Sequence, residues 1–335
     1  RVKSHIYIYR RAKNKGVVKQ VAMGRARKKL RIIVGVVRDT TAIAKAFVTT
    51  KRTVYQAQHA VLQATRFTDP TAPPSDATLS DIISAGQSSR RTASVVIEAL
   101  IHRLHDTRDA YVALKCLYTV HSLLQKGSFG VKGQLLTFSD NGGRNFLNMS
   151  TFRDKTDHDS WELSSWVRWY AAVIEQELTV CRVVGYFLSF RERKTTQEEK
   201  ISWRQTNDLI SEVDALVELI EVMSGTPPSS METKALLHES IRLVGDDYGL
   251  VQREIALRTE EVEGRRDDLS YEGLSQVVNG LKRMEACKEK LSSLFLNRKR
   301  NDAFWEKMDR TKANLAAEME EKGETMRLVV YGTWR

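Results

Sequence analysis

Histidine is the first place to look for chemistry in this chain. His102 and His105 stand three apart with Asp106 and Asp109 close behind, and on a helix such a pair could grip a divalent cation. No third ligand follows at metal-binding spacing, so both read as exposed helical histidines and no metal is expected. His121 falls inside residues 110–127, a stretch that is apolar almost throughout. A histidine there is expected to be buried and hydrogen-bonded. Trp161, Trp166 and Trp169 could stack on bases or ligands, yet their helical spacing predicts packing between layers. Gly142-Gly143 lacks the frame of a phosphate-binding loop, and no nucleophile elbow or paired-carboxylate motif occurs. No catalytic residue and no cofactor is assigned. These residues describe a non-enzymatic scaffold whose function lies on its surface.

The elements that would carry such a surface are helices. Apolar residues recur at helical spacing in Val54, Ala57, Val61 and Leu62, again in Leu79, Ile82 and Ile83, and again from Val95 to Leu104. The five prolines fall only at Pro70/Pro73/Pro74 and Pro227/Pro228, which leaves room for long uninterrupted helices. A short helix is expected around Leu135–Phe138. A long one is expected from Trp161 to about Phe190, capped by Ser160, followed by a charged connector over 191–204. Another helix should end at Gly225, and Ser229 with Glu232 fits a capping box for its successor. Helices over 270–296 and 302–322 complete the pattern, with Leu328–Tyr331 as the one strand-like run. The chain is therefore read as all-α, with antiparallel helices stacking into a solenoid and longer helices packed as a bundle in the second half.

Charge adds a location. The net charge is +11, yet residues 1–52 hold sixteen Lys and Arg against a single acid, Asp39, and the remainder is slightly acidic. Such asymmetry marks contact with phosphate, whether lipid headgroup or nucleic acid. Met23-Gly24 is a candidate start, which makes residues 1–22 a basic extension outside the fold; Lys28 stands where a myristoylation signal needs Ser or Thr. Arg25, Arg27, Lys28, Lys29 and Arg31 immediately precede Ile32-Ile33-Val34 and Val36-Val37. This segment could lie in a bilayer interface as an amphipathic anchor. The same pattern also fits an ordinary first helix with its apolar side on the core. Arg38, Lys45, Lys51, Arg52 and Arg66 are weaker contributors. No apolar run approaches the ~20 residues of a membrane span, and the stretch Ile6–Tyr9 is too short for a signal peptide. Cys116, Cys181 and Cys287 are odd in number and lie in apolar contexts, as reduced cytosolic thiols do.

A set of ordered residues then resembles a known family. Leu30-Arg31, Gly35, Arg38-Asp39-Thr40-Thr41, Gln63-Ala64-Thr65, Pro73-Pro74, Val112-Ala113-Leu114-Lys115, His121, Gly127, Phe152-Arg153-Asp154 and Trp166-Val167-Arg168-Trp169-Tyr170 together resemble the ANTH domain of clathrin-assembly proteins, especially the plant branch. The likeness covers residues 24–190 and weakens towards 300. It implies a right-handed superhelical α-solenoid of the ENTH/ANTH/VHS kind over 23–300, followed by a charged C-terminal helix and short tail over 301–335. It further implies a peripheral protein at the cytosolic face of coated pits, coated vesicles and Golgi. Its partners would be a phosphoinositide membrane (chiefly phosphatidylinositol 4,5-bisphosphate), the clathrin heavy chain, the adaptor complex and a vesicle SNARE.

The headgroup motif of that family has Lys before Ala-Thr, then two basic residues and a His after the prolines. Here the corresponding positions are Gln63, Ser75, Ala77 and Thr78, with Thr65 retained. No Pro-Phe dipeptide occurs, Asp69-Pro70-Thr71 being the nearest, so clathrin binding rests on the resemblance. Two other functions fit the same basic arm: nucleic-acid binding by a helical-repeat protein, and a protein scaffold that has lost lipid affinity. Only one aromatic, Phe47, lies within residues 10–53. That is too few to stack bases, and no nucleic acid is expected.

Overall fold

A computed structural model describes residues 30, 33–41, 52–67, 69, 71–190, 194–228, 234–294 and 298–332. Among these, all regular structure is helical and no strand occurs. The helices are α1 (residues 33–41), α2 (Arg52–Ala64), α3 (Asp76–Gln87), α4 (Arg90–Asp106), α5 (Ala110–Lys126), α6 (Phe129–Gly142) and α7 (His158–Val184). They continue as α8 (Lys194–Ser202), α9 (Thr206–Ser224), α10 (Ala235–Gly264), α11 (Tyr271–Glu285), α12 (Lys288–Leu294) and α13 (Arg298–Gly332). The arrangement is an all-α solenoid. In the first half α2, α3 and α4 pack on one another, α4 on α5 and α6, and α5 on α7; in the second, α7 packs on α9, α9 on α10 and α11, and α13 on α10 and α11.

Helix α5 is the axis of the molecule. Residues 112–124 are buried without interruption, so its sequence carries no polar stripe to set a solvent face. Asp109 starts it by accepting hydrogen bonds from the backbone N–H groups of Tyr111 and Val112 at 2.9 and 3.1 Å, a cap typically worth about 1 kcal/mol. Asp154 accepts a third, from Ala110 at 2.9 Å. The helix stops at Gly127, where a Cβ would lie 2.3 Å from the Leu123 carbonyl oxygen. Only glycine lets the chain turn there.

Helix α7 covers α5 with Trp166, Val167, Tyr170 and Ile174, all fully buried. It begins three residues earlier than expected, because Asp157 rather than Ser160 is the cap, its carboxylate accepting from Ser160 N at 2.8 Å. It ends at Gly185, in the left-handed region at φ 87°, short of Phe190. Trp166 and Trp169 stack edge to face and Trp169 donates to the Val222 carbonyl, but Trp161 is half exposed. It turns to solvent because it sits on the outer face of the first turn.

The second half differs from its sequence pattern in several places. The connector contains α8, α6 is far longer than residues 135–138, and the 270–296 stretch is two helices, broken at Ala286-Cys287. Leu328–Tyr331 continues α13 rather than forming a strand, helical periodicity upstream having overridden a locally β-favouring run. The Ser229/Glu232 capping box lies outside the described residues. Helix α10 begins instead at Ala235, and its Leu236 N–H donates to the Thr71 carbonyl at 2.9 Å. Within the second half, Arg258 of α10 is 1% exposed and bonded to Glu212 of α9 and to Glu254 of its own helix at 2.6 Å each. Phe304, Trp305, Met308 and Leu315 bury the near face of α13.

Candidate functional site

The α2–α3 junction holds five of the residues singled out from sequence. Gln63 ends α2 with its amide Nε2 3.1 Å from His59 Nε2, while its Oε1 accepts from Arg66 at 2.8 Å. Thr65 is buried and its hydroxyl donates to the Val61 carbonyl at 2.8 Å. Ser75 caps α3 by accepting from Thr78 N at 3.3 Å, and the Ser75 and Thr78 hydroxyls are 2.6 Å apart. Ala77 faces solvent. The structure thus brings Ser75, Ala77 and Thr78 together on the first turn of α3, where their polar atoms satisfy one another and the helix end. The side chains at these positions present no cation to a ligand.

Cations are present at the junction, but they point inward. Arg103 of α4 donates to Asp39 at 2.7 Å and to the Thr65 carbonyl at 2.9 Å. Asp39 also accepts from the Phe67 N–H at 3.3 Å. Lys115 of α5, 5% exposed, donates to the carbonyls of Arg66 and Asp69 at 2.9 and 2.5 Å; burial lowers its pKa from the ordinary lysine value. Sequence inspection passed over Arg103 altogether and found Lys115 only as part of a motif. Their partners are backbone carbonyls 38 to 49 positions away, and no local spacing announces such bonds.

The other half of the site is α1. Asp39 ties it to Arg103, and Gly35 lies against the Phe67 ring so closely that a Cβ would come within 2.9 Å of it. The opposite face is bare. Ile33, Val34 and Val37 are 60%, 48% and 57% exposed, at the i, i+1, i+4 positions of one helical face, and Leu30, ahead of residues 33–41, is 62% exposed. An ordinary first helix with its apolar side on the core would bury Ile33, Val34 and Val37, which are exposed, while Val36 is half-buried; Ile32 lies outside the described residues. Small and polar residues, Gly35 and Asp39, make the inward contacts instead. The basic residues Arg25, Arg27, Lys28, Lys29 and Arg31, with Lys45 and Lys51, lie outside the described residues; Arg38 is exposed and Arg66 is half-buried.

The remaining candidates separate. His102, His105 and Asp106 are exposed, and Asp109 is committed to the α5 cap. His121 is fully buried, with Nδ1 2.9 Å from the Tyr170 hydroxyl and Nε2 bonded to Asp247. The Cys116 thiol is pushed up to about 12 by burial, as befits an inert core thiol. No described helix is long and apolar enough to cross a membrane.

Comparison with known proteins converges on one family. Residues 56–250 match the ANTH domain. A protein of Arabidopsis thaliana bearing the name "putative clathrin assembly protein" is 39% identical over 283 residues, covering 82% of this chain and 77% of its own. A second Arabidopsis protein of that name is 29% identical over 286 residues, with 82% of each chain covered. A third, longer one is 32% identical over 202 residues, which span 58% of this chain and 28% of that protein.

Proposed function

This chain belongs to the ANTH domain family, and from that premise we propose that it is a peripheral adaptor that helps assemble clathrin on an anionic, phosphoinositide-bearing membrane. The observation that carries this reading is the exposed apolar face of Ile33, Val34 and Val37 on α1, which follows five cations at residues 25–31 in the sequence. An apolar helical face flanked by Lys and Arg gains free energy at a lipid interface twice over, by burying carbon among acyl chains and by attraction to phosphate. The family headgroup motif contributes little of this here. Gln63, Ser75 and Thr78 are neutral and bonded to neighbouring residues, and Ala77 has no polar side-chain atom, so attachment rests on charge and insertion with weak choice among headgroups. The names of the related proteins support clathrin as the assembled partner. The clathrin heavy chain, the adaptor complex and a vesicle SNARE are the partners we assign on the family alone, at coated pits and vesicles.

Vesicle sedimentation tests the reading. Neutralising Arg25, Arg27, Lys28, Lys29 and Arg31 together is expected to cost about 5 kcal/mol, at about 1 kcal/mol for each cation near an anionic surface, and so to abolish binding. Replacing Ile33 and Val37 by Ser should also weaken binding, with a much smaller effect on unfolding because both residues are more than half exposed. Undiminished sedimentation of both variants would end the proposal.

A further inference from the structure

His121, Glu177 and Asp247 come from α5, α7 and α10, and all three are buried, at 0%, 1% and 0% exposed. Their His Nε2 and carboxylate oxygens lie within 4.8 Å of one another. Glu177 Oε2 stands 3.5 Å from His121 Nε2 and has no hydrogen-bond partner among the described residues. We propose that these three side chains bind one divalent transition-metal ion, of the zinc or manganese type, that clamps α5, α7 and α10 together.

Three observations support an ion over a simple hydrogen-bonded cluster. The first is charge. Two carboxylates face a single imidazole in the interior, where burial and the neighbouring Asp247 disfavour the ionised form of Glu177; a cation between them is what would let both carboxylates carry their charge. A dication beside two carboxylates and a neutral imidazole leaves no net charge. Lys132 acts on Glu177 through space, but its ammonium donates to the Gln125 carbonyl at 3.1 Å and the Ser189 hydroxyl at 2.7 Å, and burial lowers its pKa.

The second is spacing. Ligand atoms on an ion with bonds of about 2.0–2.2 Å sit roughly 3–4 Å apart, which is the separation of His121 Nε2 from Glu177 Oε2. Asp247 Oδ2 is hydrogen-bonded to His121 Nε2; the ion takes the place of the protons held among these three groups, which leave to solvent. The second oxygen of Glu177, or a water, supplies a fourth donor.

The third is the surrounding shell. Metal-bound histidines present their other nitrogen to a fixed partner, and ligating carboxylates are themselves hydrogen-bonded. Here the Tyr170 hydroxyl meets His121 Nδ1 at 2.9 Å. Gln125 donates to Asp247 Oδ1 at 2.9 Å and to the Leu243 carbonyl at 3.2 Å, which leaves Oδ2 for the ion. A nitrogen with two carboxylate oxygens selects zinc or manganese over calcium, which takes oxygen alone.

The test uses the full chain, purified without a polyhistidine tag from medium supplemented with zinc and manganese. Elemental analysis should find close to one ion per chain. Prolonged chelation should lower the melting temperature, and Zn²⁺ should restore it while Ca²⁺ does not. Titrating the chelated protein with Co²⁺ should produce visible absorption from the bound ion. Glu177→Gln, an isostere that retains the hydrogen-bonding shape, should weaken binding about tenfold or more. His105→Ala, at an exposed histidine, should bind as the unaltered chain does. Metal well below stoichiometry in the unaltered chain, with no cobalt spectrum and no response to chelation, would overturn the proposal and leave a proton-sharing cluster in its place.

Discussion

Two buried groups of charge in this molecule solve opposite problems. At the α2–α3 junction, Asp39, Arg103 and Lys115 form a group of mixed sign whose spare donors end on the carbonyls of Thr65, Arg66 and Asp69. At the meeting of α5, α7 and α10, two carboxylates crowd one imidazole, and an oxygen of Glu177 is left over. The first group is balanced in sign: Arg103 meets Asp39, and its Nη2 group and the Lys115 ammonium end on carbonyls, with Arg103 Nε the atom left over, so it fixes a loop. The second is open, with one carboxylate oxygen of Glu177 unpartnered among the described residues. Basic residues in a binding family are thus no guide to binding by themselves; the direction in which they point decides.

Removing a charge from each group should separate them sharply. Asp39→Ala strands Arg103 beside the Thr65 carbonyl and detaches α1, and should cost about 3 kcal/mol, the usual penalty for breaking a buried pair; urea unfolding would measure it. A smaller effect is expected from rebuilding the family motif by Ser75→Lys, Ala77→Lys and Thr78→His. These changes should raise affinity for vesicles carrying a bisphosphorylated inositide over phosphatidylserine vesicles by about 2 kcal/mol, while the lost Ser75 cap removes about 1 kcal/mol of stability. No gain in preference would mean that the first turn of α3 is not turned to the membrane. Lys115→Met keeps the buried stem and deletes the donor, so the loss should be about 1 kcal/mol, for carbonyls that water can partly reach. Glu177→Gln in chelated protein should change stability by less than about 1 kcal/mol, or raise it, since burial and Asp247 already disfavour a charge at this position. A large loss there would show that the cluster is balanced as it stands.

Much of the fold was legible in the sequence, and the reason is local. Helix α5 announces itself by an apolar run closed by Gly127, and α9 by its spacing up to Gly225. The errors fell where a choice depended on distant contacts. Asp157 outcompeted Ser160 as a cap, and Cys287 interrupts one expected helix by packing with Ser224. His121 was correctly placed in the core, but Asp247 lies 126 positions away and no periodicity could pair them. The junction was legible as a motif with its cations missing. That Arg103 and Lys115 had taken up the loop from within was not, because a side chain bonded to a remote carbonyl leaves no trace in composition.

The tether between Asp39 and Arg103 has a mechanical consequence. A helix joined to a rigid stack by a short ionic link and by a glycine pressed on a ring cannot swing like a loose tail. Whatever surface receives the bare flank of α1 therefore receives the tip of the whole stack at a set angle, and the far helices are aimed accordingly.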